Sequence, residues 1–209
     1  MKGRNAIMAH KVKIFFDYVC PYCFIAKGMV DELRKNHELE VEWIPFELNE
    51  AAPEEGMKLS EHFPDMDLAE QYRAFNTTIK PYGLEFSGTD LLTNTRKAHL
   101  ASEYARDQGR ALEFHAEVSK AFFTDGKNIG SPEVLKKIAE KVGLDADEMM
   151  DAVEGGRYDD RLNEAKTAAE KHQIEVVPTY FINGSIRIDG AQPIERFKAA
   201  LAKEEDQIG

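Results

Sequence analysis

Two cysteines stand two residues apart near the start of the chain, as Cys20-Pro21-Tyr22-Cys23, and the 209 residues contain no other cysteine. A disulfide that closes so short a loop would restrict the unfolded chain very little. A small domain held together by disulfides would instead have several widely spaced cysteines. The pair therefore needs a chemical reason, and three are open: a metal site, two inert buried thiols, or a redox pair.

A zinc site needs four ligands, usually two such cysteine pairs or one pair with histidines. No two of the six histidines have the spacing of metal ligands: His10, His37, His62, His99, His115 and His172. Inert thiols would be ordinary for cysteines at random positions, because free cysteine is often buried. We therefore predict no metal and no cofactor, and we favour redox chemistry because of where the pair lies.

The residues around the pair predict a strand followed by a helix. Val12 to Phe16 is short, apolar and β-prone, and apolar residues recur at helical spacing from Pro21 onwards. Proline suits the first turn of a helix, where its missing N–H is not needed. Leu39 to Phe46 alternates apolar and charged residues and predicts a second strand. The cysteines thus lie where a βαβ unit passes from strand to helix.

This position predicts different roles for the two thiols. The N–H groups and the dipole of a helix N-terminus stabilise a thiolate, so we expect the pKa of Cys20 to be lowered. The thiolate is the form that attacks disulfides. Cys23, one turn into the helix, is close enough to resolve a mixed disulfide and is expected to be more shielded. We predict that Cys20 attacks and Cys23 resolves.

A helix-rich stretch separates this unit from a second β region. The segment from Glu47 to Asp67 has a sequence typical of a loop. Further along the chain, Asn183-Gly184 between two β-prone runs predicts a hairpin. The chain order is therefore βαβ, a helical block, then αββα. Helices are predicted over 68–80, 95–108, 111–123, 131–143, 145–154, 157–173 and 193–204.

The chain resembles the thioredoxin superfamily, and within it the DsbA-like oxidoreductases of the FrnE type. The resemblance covers about Val12 to Leu201, and four motifs carry it: residues 16–23, 94–99, 177–182 and 190–192. It implies an α/β, thioredoxin-like fold with a helical domain inserted between its two halves. The thioredoxin-like domain would comprise residues 11–66 and 155–209, and the inserted domain residues 67–154.

The resemblance also implies site residues away from the cysteines. It implies that the Val177–Pro178 peptide bond is cis and lies beside the thiols, leaving the backbone of Val177 to pair with an extended substrate. The alternative is a proline that merely starts a strand. Relatives also have an acid at the position of Asp17, which is either a surface loop acid or a proton acceptor near the thiols.

Three polar residues of the second motif, Asn94, Arg96 and His99, fit helix capping and packing better than catalysis. A histidine that reaches the cysteines from the inserted domain stays open as an alternative. The predicted active-site support around the cysteines therefore consists of Pro21, Tyr22, Val177, Pro178 and Asp17.

The predicted function is protein thiol–disulfide exchange, with protein or peptide thiols and disulfides as substrates. Glutathione or a thioredoxin-type protein is the candidate reductant. One alternative is a glutathione-dependent enzyme of the kappa-class transferase or hydroxychromene-carboxylate isomerase type. Those relatives usually have serine where Cys20 stands and lack the second cysteine. Another alternative is a peptide-binding or chaperone module that kept the fold without the chemistry.

Charge and hydropathy exclude other classes of partner. The 38 acidic and 27 basic side chains give a formal charge of −11, which repels phosphate backbones and anionic lipid. No apolar run approaches the ~20 residues of a membrane helix, and the N-terminus lacks the pattern of a signal peptide. We expect a cytoplasmic protein that binds neither nucleic acid nor membrane, with a loose leader before about Val12.

Overall fold

The computed structural model describes residues 9–208, with side chains as far as residue 203. The strands are β1 (His10–Phe16), β2 (Leu39–Pro45), β3 (Thr179–Ile182) and β4 (Ile186–Asp189). The helices are α1 (Pro21–Leu33), α2 (Leu59–His62), α3 (Leu68–Ile79), α4 (Arg96–Asp107), α5 (Ala111–Phe123), α6 (Pro132–Lys141), α7 (Ala146–Glu154), α8 (Asp159–Lys171) and α9 (Ile194–Ile208). Within the described range, no helix combines the length and the hydropathy needed to cross a bilayer.

The four strands form one mixed sheet in the order β2-β1-β3-β4. Strand β1 runs parallel to β2 and antiparallel to β3, so that Ile14 lies between Trp43 and Tyr180. The β1-α1-β2 crossover and the β3-β4 hairpin are thus two halves of the same sheet, and helices α2 to α8 lie between them in the chain. The predicted order of elements is confirmed.

Two boundaries differ from the sequence prediction. The chain from His10 is already part of β1, because the His10 N–H donates to the Glu38 carbonyl over 2.8 Å and Lys11 pairs with Glu40. The rest of the predicted leader, residues 1–8, lies outside the described residues. The segment predicted as loop between β2 and α3 contains the short helix α2. Four residues are too few to produce a helical apolar pattern in the sequence.

Apolar side chains pack on both faces of the sheet. On one face, Ile14 of β1 and Tyr180 of β3 pack with α1 and α9. On the other, Phe15 and Phe16 pack with α1 and with the helices α4 to α8. The helical block therefore shares a hydrophobic cluster with the sheet. The division into domains at 11–66, 67–154 and 155–209 stays a prediction.

The hairpin between β3 and β4 follows from its turn residues. Asn183 and Gly184 both have positive φ, at 49° and 73°, which asparagine and glycine tolerate better than other residues. This turn returns the chain antiparallel to β3 and pairs Thr179 with Asp189. The hairpin thereby holds the segment that precedes Thr179 against the sheet, next to the start of α1.

Candidate active site

Cys20 is the N-cap residue of α1, and Pro21 occupies the first turn of that helix. The Cys20 carbonyl accepts hydrogen bonds from the N–H groups of Cys23 and Phe24, at 2.9 and 3.3 Å. The backbone N–H groups of Tyr22 and Cys23 donate to the Cys20 sulfur. The helix start therefore presents backbone N–H groups to the sulfur, although the Cys23 N–H also donates to the Cys20 carbonyl.

The two thiols differ in ionisation. A hydrogen bond from the Cys23 thiol is the main reason that the pKa of Cys20 is lowered, and the N–H groups of Cys23 and Tyr22 add to this against the effect of burial. The pKa of Cys23 is raised well above its ordinary value by burial and by donating to Cys20. Cys20 is therefore the thiol that ionises first.

Cys23 is the more shielded of the two thiols, as the sequence predicts, although their exposed fractions are nearly equal. Cys20 is 5% exposed and Cys23 is 4% exposed, and both are free thiols. The difference lies in what they face, because Cys20 lines a cavity of about 600 Å³ together with Pro21 and Tyr22. Cys23 lies behind Cys20, where the N–H of Asp17 donates to its sulfur.

The segment before β3 meets the cysteines from the other half of the sheet. The Cys20 Sγ lies 3.5 Å from the carbonyl oxygen of Val177, and the Val177–Pro178 peptide bond is cis. The carbonyl of Pro178 accepts a hydrogen bond from the Gly190 N–H over 2.8 Å, which attaches the segment to the end of β4. Val177 and Pro178 are both buried, while the side chain of Val176 is exposed.

Asp17 is a fully buried carboxylate, so the alternative of a surface loop acid is wrong. Its Oδ2 accepts a hydrogen bond from the Leu48 N–H over 2.7 Å, and its Oδ1 lies 3.2 Å from the Nε2 of His99. The negative charge of Asp17 raises the pKa of Cys20 and of Cys23 as a minor contribution. Asp17 therefore acts electrostatically on both thiols.

His99 reaches the site from α4, but it meets Asp17 rather than a cysteine in the hydrogen bonds of the described residues. It packs with a second buried histidine, His115 of α5, around Phe16 and Tyr18, with ring centroids 4.9 to 5.3 Å apart. Burial lowers the pKa of His115 to about 3, with a smaller contribution from the positive charge of Lys27. His115 is therefore neutral at physiological pH.

The other polar residues of the second motif act as the sequence predicts. The side chain of Asn94 accepts a hydrogen bond from the Arg96 N–H over 2.9 Å and so caps the start of α4. The guanidinium of Arg96 pairs with Asp159 at 2.7 Å and with Glu47 at 3.3 Å. These two residues hold α4 against its neighbours.

The cavity beside Cys20 is built from segments that the sequence analysis did not assign to the site. Aromatic rings from α1, α3 and α5 form its walls, and the ring of Tyr22 contacts that of Phe75 at 5.3 Å. Among the described residues that line it, none is Lys, Arg, Asp or Glu. The cavity therefore suits an uncharged apolar group.

Exposed apolar side chains are concentrated around the same cavity. Four of them, Tyr22, Leu48, Phe63 and Met66, line it, and Val176 adjoins the Val177 carbonyl that contacts Cys20. Of the large apolar side chains exposed in the described structure, Val176 and Leu112 are the two that do not line it. An apolar patch of this kind marks a binding surface. In residues 9–208, no three potential ligands lie together so as to hold a metal ion.

Comparison with known proteins agrees with this fold and site. Residues 11–202 match the family model of the DsbA-like thioredoxin domain. The uncharacterized protein YwbO of Bacillus subtilis (strain 168) is 34% identical over 205 residues, which cover 95% of this chain and 98% of YwbO. The chain therefore belongs to the DsbA-like thioredoxin family, whose members are generally oxidoreductases or isomerases.

Solved structures share the fold at lower identity. A probable DsbA oxidoreductase from Streptomyces coelicolor superposes with a TM-score of 0.83 at 22% identity, over 93% of this chain and 89% of the other. The cytosolic disulfide reductase DsbM from Pseudomonas aeruginosa, also solved with GSH, gives 0.70 at 16% identity over 94% and 99%. A 2-hydroxychromene-2-carboxylate isomerase gives 0.75 at 17% identity over 94% and 97%. The thioredoxin-like fold is thus confirmed.

Proposed function

We propose that this protein is a thiol–disulfide oxidoreductase that acts on protein or peptide substrates, with Cys20 as the attacking thiol and Cys23 as the resolving thiol. The observation that carries the proposal is the opposite shift of the two thiol pKa values at one helix start. The thiol with the lowered pKa is also the one that lines the cavity.

The exchange proceeds in two steps. The Cys20 thiolate attacks one sulfur of a substrate disulfide, which forms a mixed disulfide and releases the other substrate sulfur as a thiolate that takes up a proton. Cys23 then loses its proton and attacks the Cys20 sulfur, which forms the Cys20–Cys23 disulfide and releases the second substrate thiol. The substrate gains two electrons and the enzyme loses two. A thiol reductant of the glutathione or thioredoxin type restores the dithiol.

The surroundings of Cys20 support a substrate that carries a large apolar side chain beside its cysteine. The cavity wall offers aromatic rings such as Phe75 and Phe86 and no full charge from lysine, arginine, aspartate or glutamate. An extended peptide could align its backbone with Val177, whose carbonyl lies next to the Cys20 sulfur. Glutathione carries two carboxylates, and the cavity provides no lysine or arginine to pair with them.

Thiol titration tests the proposal against its rivals. The rate of alkylation is measured against pH, together with the dithiol–disulfide equilibrium in glutathione buffers. We expect one thiol to react well below the ordinary pH range and the pair to form a single intramolecular disulfide. Two thiols with ordinary pH profiles would indicate a binding module instead. Isomerase turnover without any change in the thiol state would support the alternative of a glutathione-dependent enzyme.

The proposal includes a cytoplasmic location, where a catalytic disulfide of this kind is transient. The description of DsbM as a cytosolic disulfide reductase supports this assignment. Substrates trapped on the Cys23→Ser variant and recovered from separated cell fractions test it. Recovery of the mixed disulfides outside the cytosolic fraction would contradict the assignment.

A further inference from the structure

We propose that the groove between strand β4 and helix α9 is a docking site for an extended acidic segment of a partner protein. This β4–α9 groove has a volume of about 480 Å³ and is lined by Ser185, Ile186, Arg187, Ile188, Arg196, Ala199, Ala200 and Lys203. None of these residues lines the cavity beside Cys20. The docking site is therefore separate from the site of thiol chemistry.

The groove runs along an open edge of the sheet. Strand β4 pairs with β3 on one side and with no strand of the described residues on the other. The Gly190 N–H donates to the opposed Pro178 carbonyl over 2.8 Å, and bonded and non-bonded positions alternate in an antiparallel pair. Ile188 therefore bonds to β3, whereas the backbone N–H and carbonyl of Arg187 point away from it. These two groups can pair with an added strand.

The side chain of Arg187 does not cover this edge, although charged side chains commonly protect edge strands. Side chains alternate between the two faces of a strand, and Ile186 and Ile188 pack toward α9. The guanidinium of Arg187 lies on the opposite face, where it donates to the carbonyls of His172 and Gln173 at 2.6 and 3.1 Å. The backbone of Arg187 thus remains accessible to a partner strand.

The groove is basic in a protein whose formal charge is −11. Arg196 and Lys203 of α9 are exposed, and no residue that lines the groove is aspartate or glutamate. In the described part of the chain, neither is paired with a carboxylate, and Arg196 donates to the neutral side chain of Gln192 at 3.3 Å. The two cations lie two helical turns apart, about 10 Å, so an extended segment of about four residues reaches both.

Charge also separates an acidic segment from the other possible occupants. Two copies of the chain paired through β4 would bring their Arg196 and Lys203 side chains together, which is repulsive. Residues 1–8 of the chain carry Lys2 and Arg4 and no acid, so their charge has the same sign as that of the groove. The overall charge of the protein is screened beyond about 8 Å at physiological ionic strength, whereas contacts with the two cations are not.

The groove ends close to the active site. Gly190, which follows β4, is bonded to Pro178, and the neighbouring Val177 carbonyl lies 3.5 Å from the Cys20 sulfur. A segment docked along β4 would therefore hold the rest of its protein near Cys20 and raise the local concentration of a disulfide that the protein carries. This consequence rests on the proposed thiol chemistry, whereas the docking itself does not.

The test measures binding of a short labelled peptide of alternating glutamate and valine by fluorescence anisotropy. The control peptide has glutamine in place of glutamate and should bind more weakly. We expect the double variant with Arg196→Glu and Lys203→Glu to weaken binding of the acidic peptide about tenfold, because two attractive pairs become repulsive. Lys198→Glu is the matched control, since Lys198 is an exposed cation of α9 that does not line the groove. It should leave the affinity nearly unchanged.

Hydrogen exchange distinguishes strand addition from simple ionic attraction. The Arg187 N–H should exchange rapidly in the unbound protein and about tenfold more slowly with the peptide bound. The Ile188 N–H, which bonds to β3, should exchange slowly in both states. No binding, equal binding by the double variant, or binding without protection of the Arg187 N–H would overturn the docking site. Protection before peptide is added would also overturn it, because the chain itself or a second copy would then occupy the edge.

The rate of Cys20 alkylation separates this proposal from the proposed function. It should be the same in the double variant and in the wild type, because the groove shares no residue with the cavity beside Cys20. A changed rate would mean that the substitutions disturb the active site, which contradicts a separate docking surface. Failure of the wild type to exchange disulfides would instead overturn the proposed function and leave the peptide binding as measured.

Discussion

The start of α1 has two sides that differ in chemistry. On one side, Cys20 faces an uncharged aromatic cavity with exposed apolar residues at its rim. On the other, the backbone N–H of Asp17 donates to the Cys23 sulfur, and the buried Asp17 carboxylate lies against the ring of His99. The first side is suited to contact a substrate. The second is suited to control ionisation, because buried charges act strongly where water is excluded.

The contrast shows how two identical side chains separated by one helical turn acquire different surroundings. Their exposed fractions are nearly equal, but of the two only Cys20 lines the cavity. Cys20 receives hydrogen bonds from the helix start and from Cys23, whereas Cys23 donates and is more deeply buried. The direction of hydrogen bonding and access to the cavity are together the basis of the proposed roles, in which Cys20 attacks and Cys23 resolves.

The largest expected effect comes from exchanging the two thiols for serine. Cys20→Ser should abolish disulfide exchange, because it removes the attacking thiolate. Cys23→Ser should keep a reactive Cys20 and accumulate substrates as mixed disulfides, because the resolving step is lost. Insulin reduction and mass spectrometry of the protein measure the two outcomes, with the double serine variant as the control. The reverse pattern of trapping would contradict the roles assigned to the two sides.

A smaller effect is expected from His115 on the buried side, and it appears as acid sensitivity. The pKa of His115 is about 3 in the folded protein and about 6.5 when unperturbed, so the unfolded state binds an extra proton between these values. The contribution of neutral His115 to the free energy of unfolding is fully present above pH 6.5. It is lost as the pH falls between the two pKa values, by about 1.4 kcal/mol for each pH unit. Urea unfolding at a series of pH values from about 7 to about 4 measures this loss of stability.

His115→Leu should flatten this pH dependence, since leucine has no proton to gain. The matched control is His62→Leu, which replaces an exposed histidine and should leave the pH dependence of the wild type intact. Parallel stability curves for His115→Leu and the wild type would show that the buried side tolerates a charged imidazole. The contrast between the two sides of α1 would then be weaker than the structure indicates.

The smallest effect is expected on the cavity side. Phe75→Ala removes a ring that contacts Tyr22 beside Cys20. It should lower kcat/KM about tenfold for peptide disulfides with an aromatic neighbour, because roughly 1.4 kcal/mol of apolar burial is lost. Reduction of glutathione disulfide should be unaffected, since its charged groups gain nothing from the ring. Parallel kinetics on both substrates measure the difference.

Phe181→Ala is the control for this change. Phe181 is a partly buried ring on β3 that packs against His172 and Phe15, away from the residues that line the cavity. Its loss should alter thermal stability without changing the ratio of the two substrates. Equal losses on both substrates for Phe75→Ala would mean that the cavity side does not select apolar neighbours.

Much of the site was predictable because its residues are close in the chain. Cys20 and Cys23 share one helical turn, and Pro21 at the start of α1 marks where that turn begins. The sequence signals that set the ends of helices and strands are equally local; examples are the Asp145 cap of α7 and the Asn183-Gly184 turn. A short helix such as α2 was not predictable, because four residues contain too little periodicity.

The sequence by itself determined the position of the cysteine pair, the order of strands and helices, and the expected difference between the two thiols. Each of these depends on neighbours within a few residues. The tertiary structure decided that Asp17 is buried against His99, that Val177 contacts Cys20, and that aromatic residues from α3 and α5 enclose the cavity. These contacts join positions tens to more than a hundred residues apart. No local pattern specifies them, because they depend on how the helical block packs against the sheet.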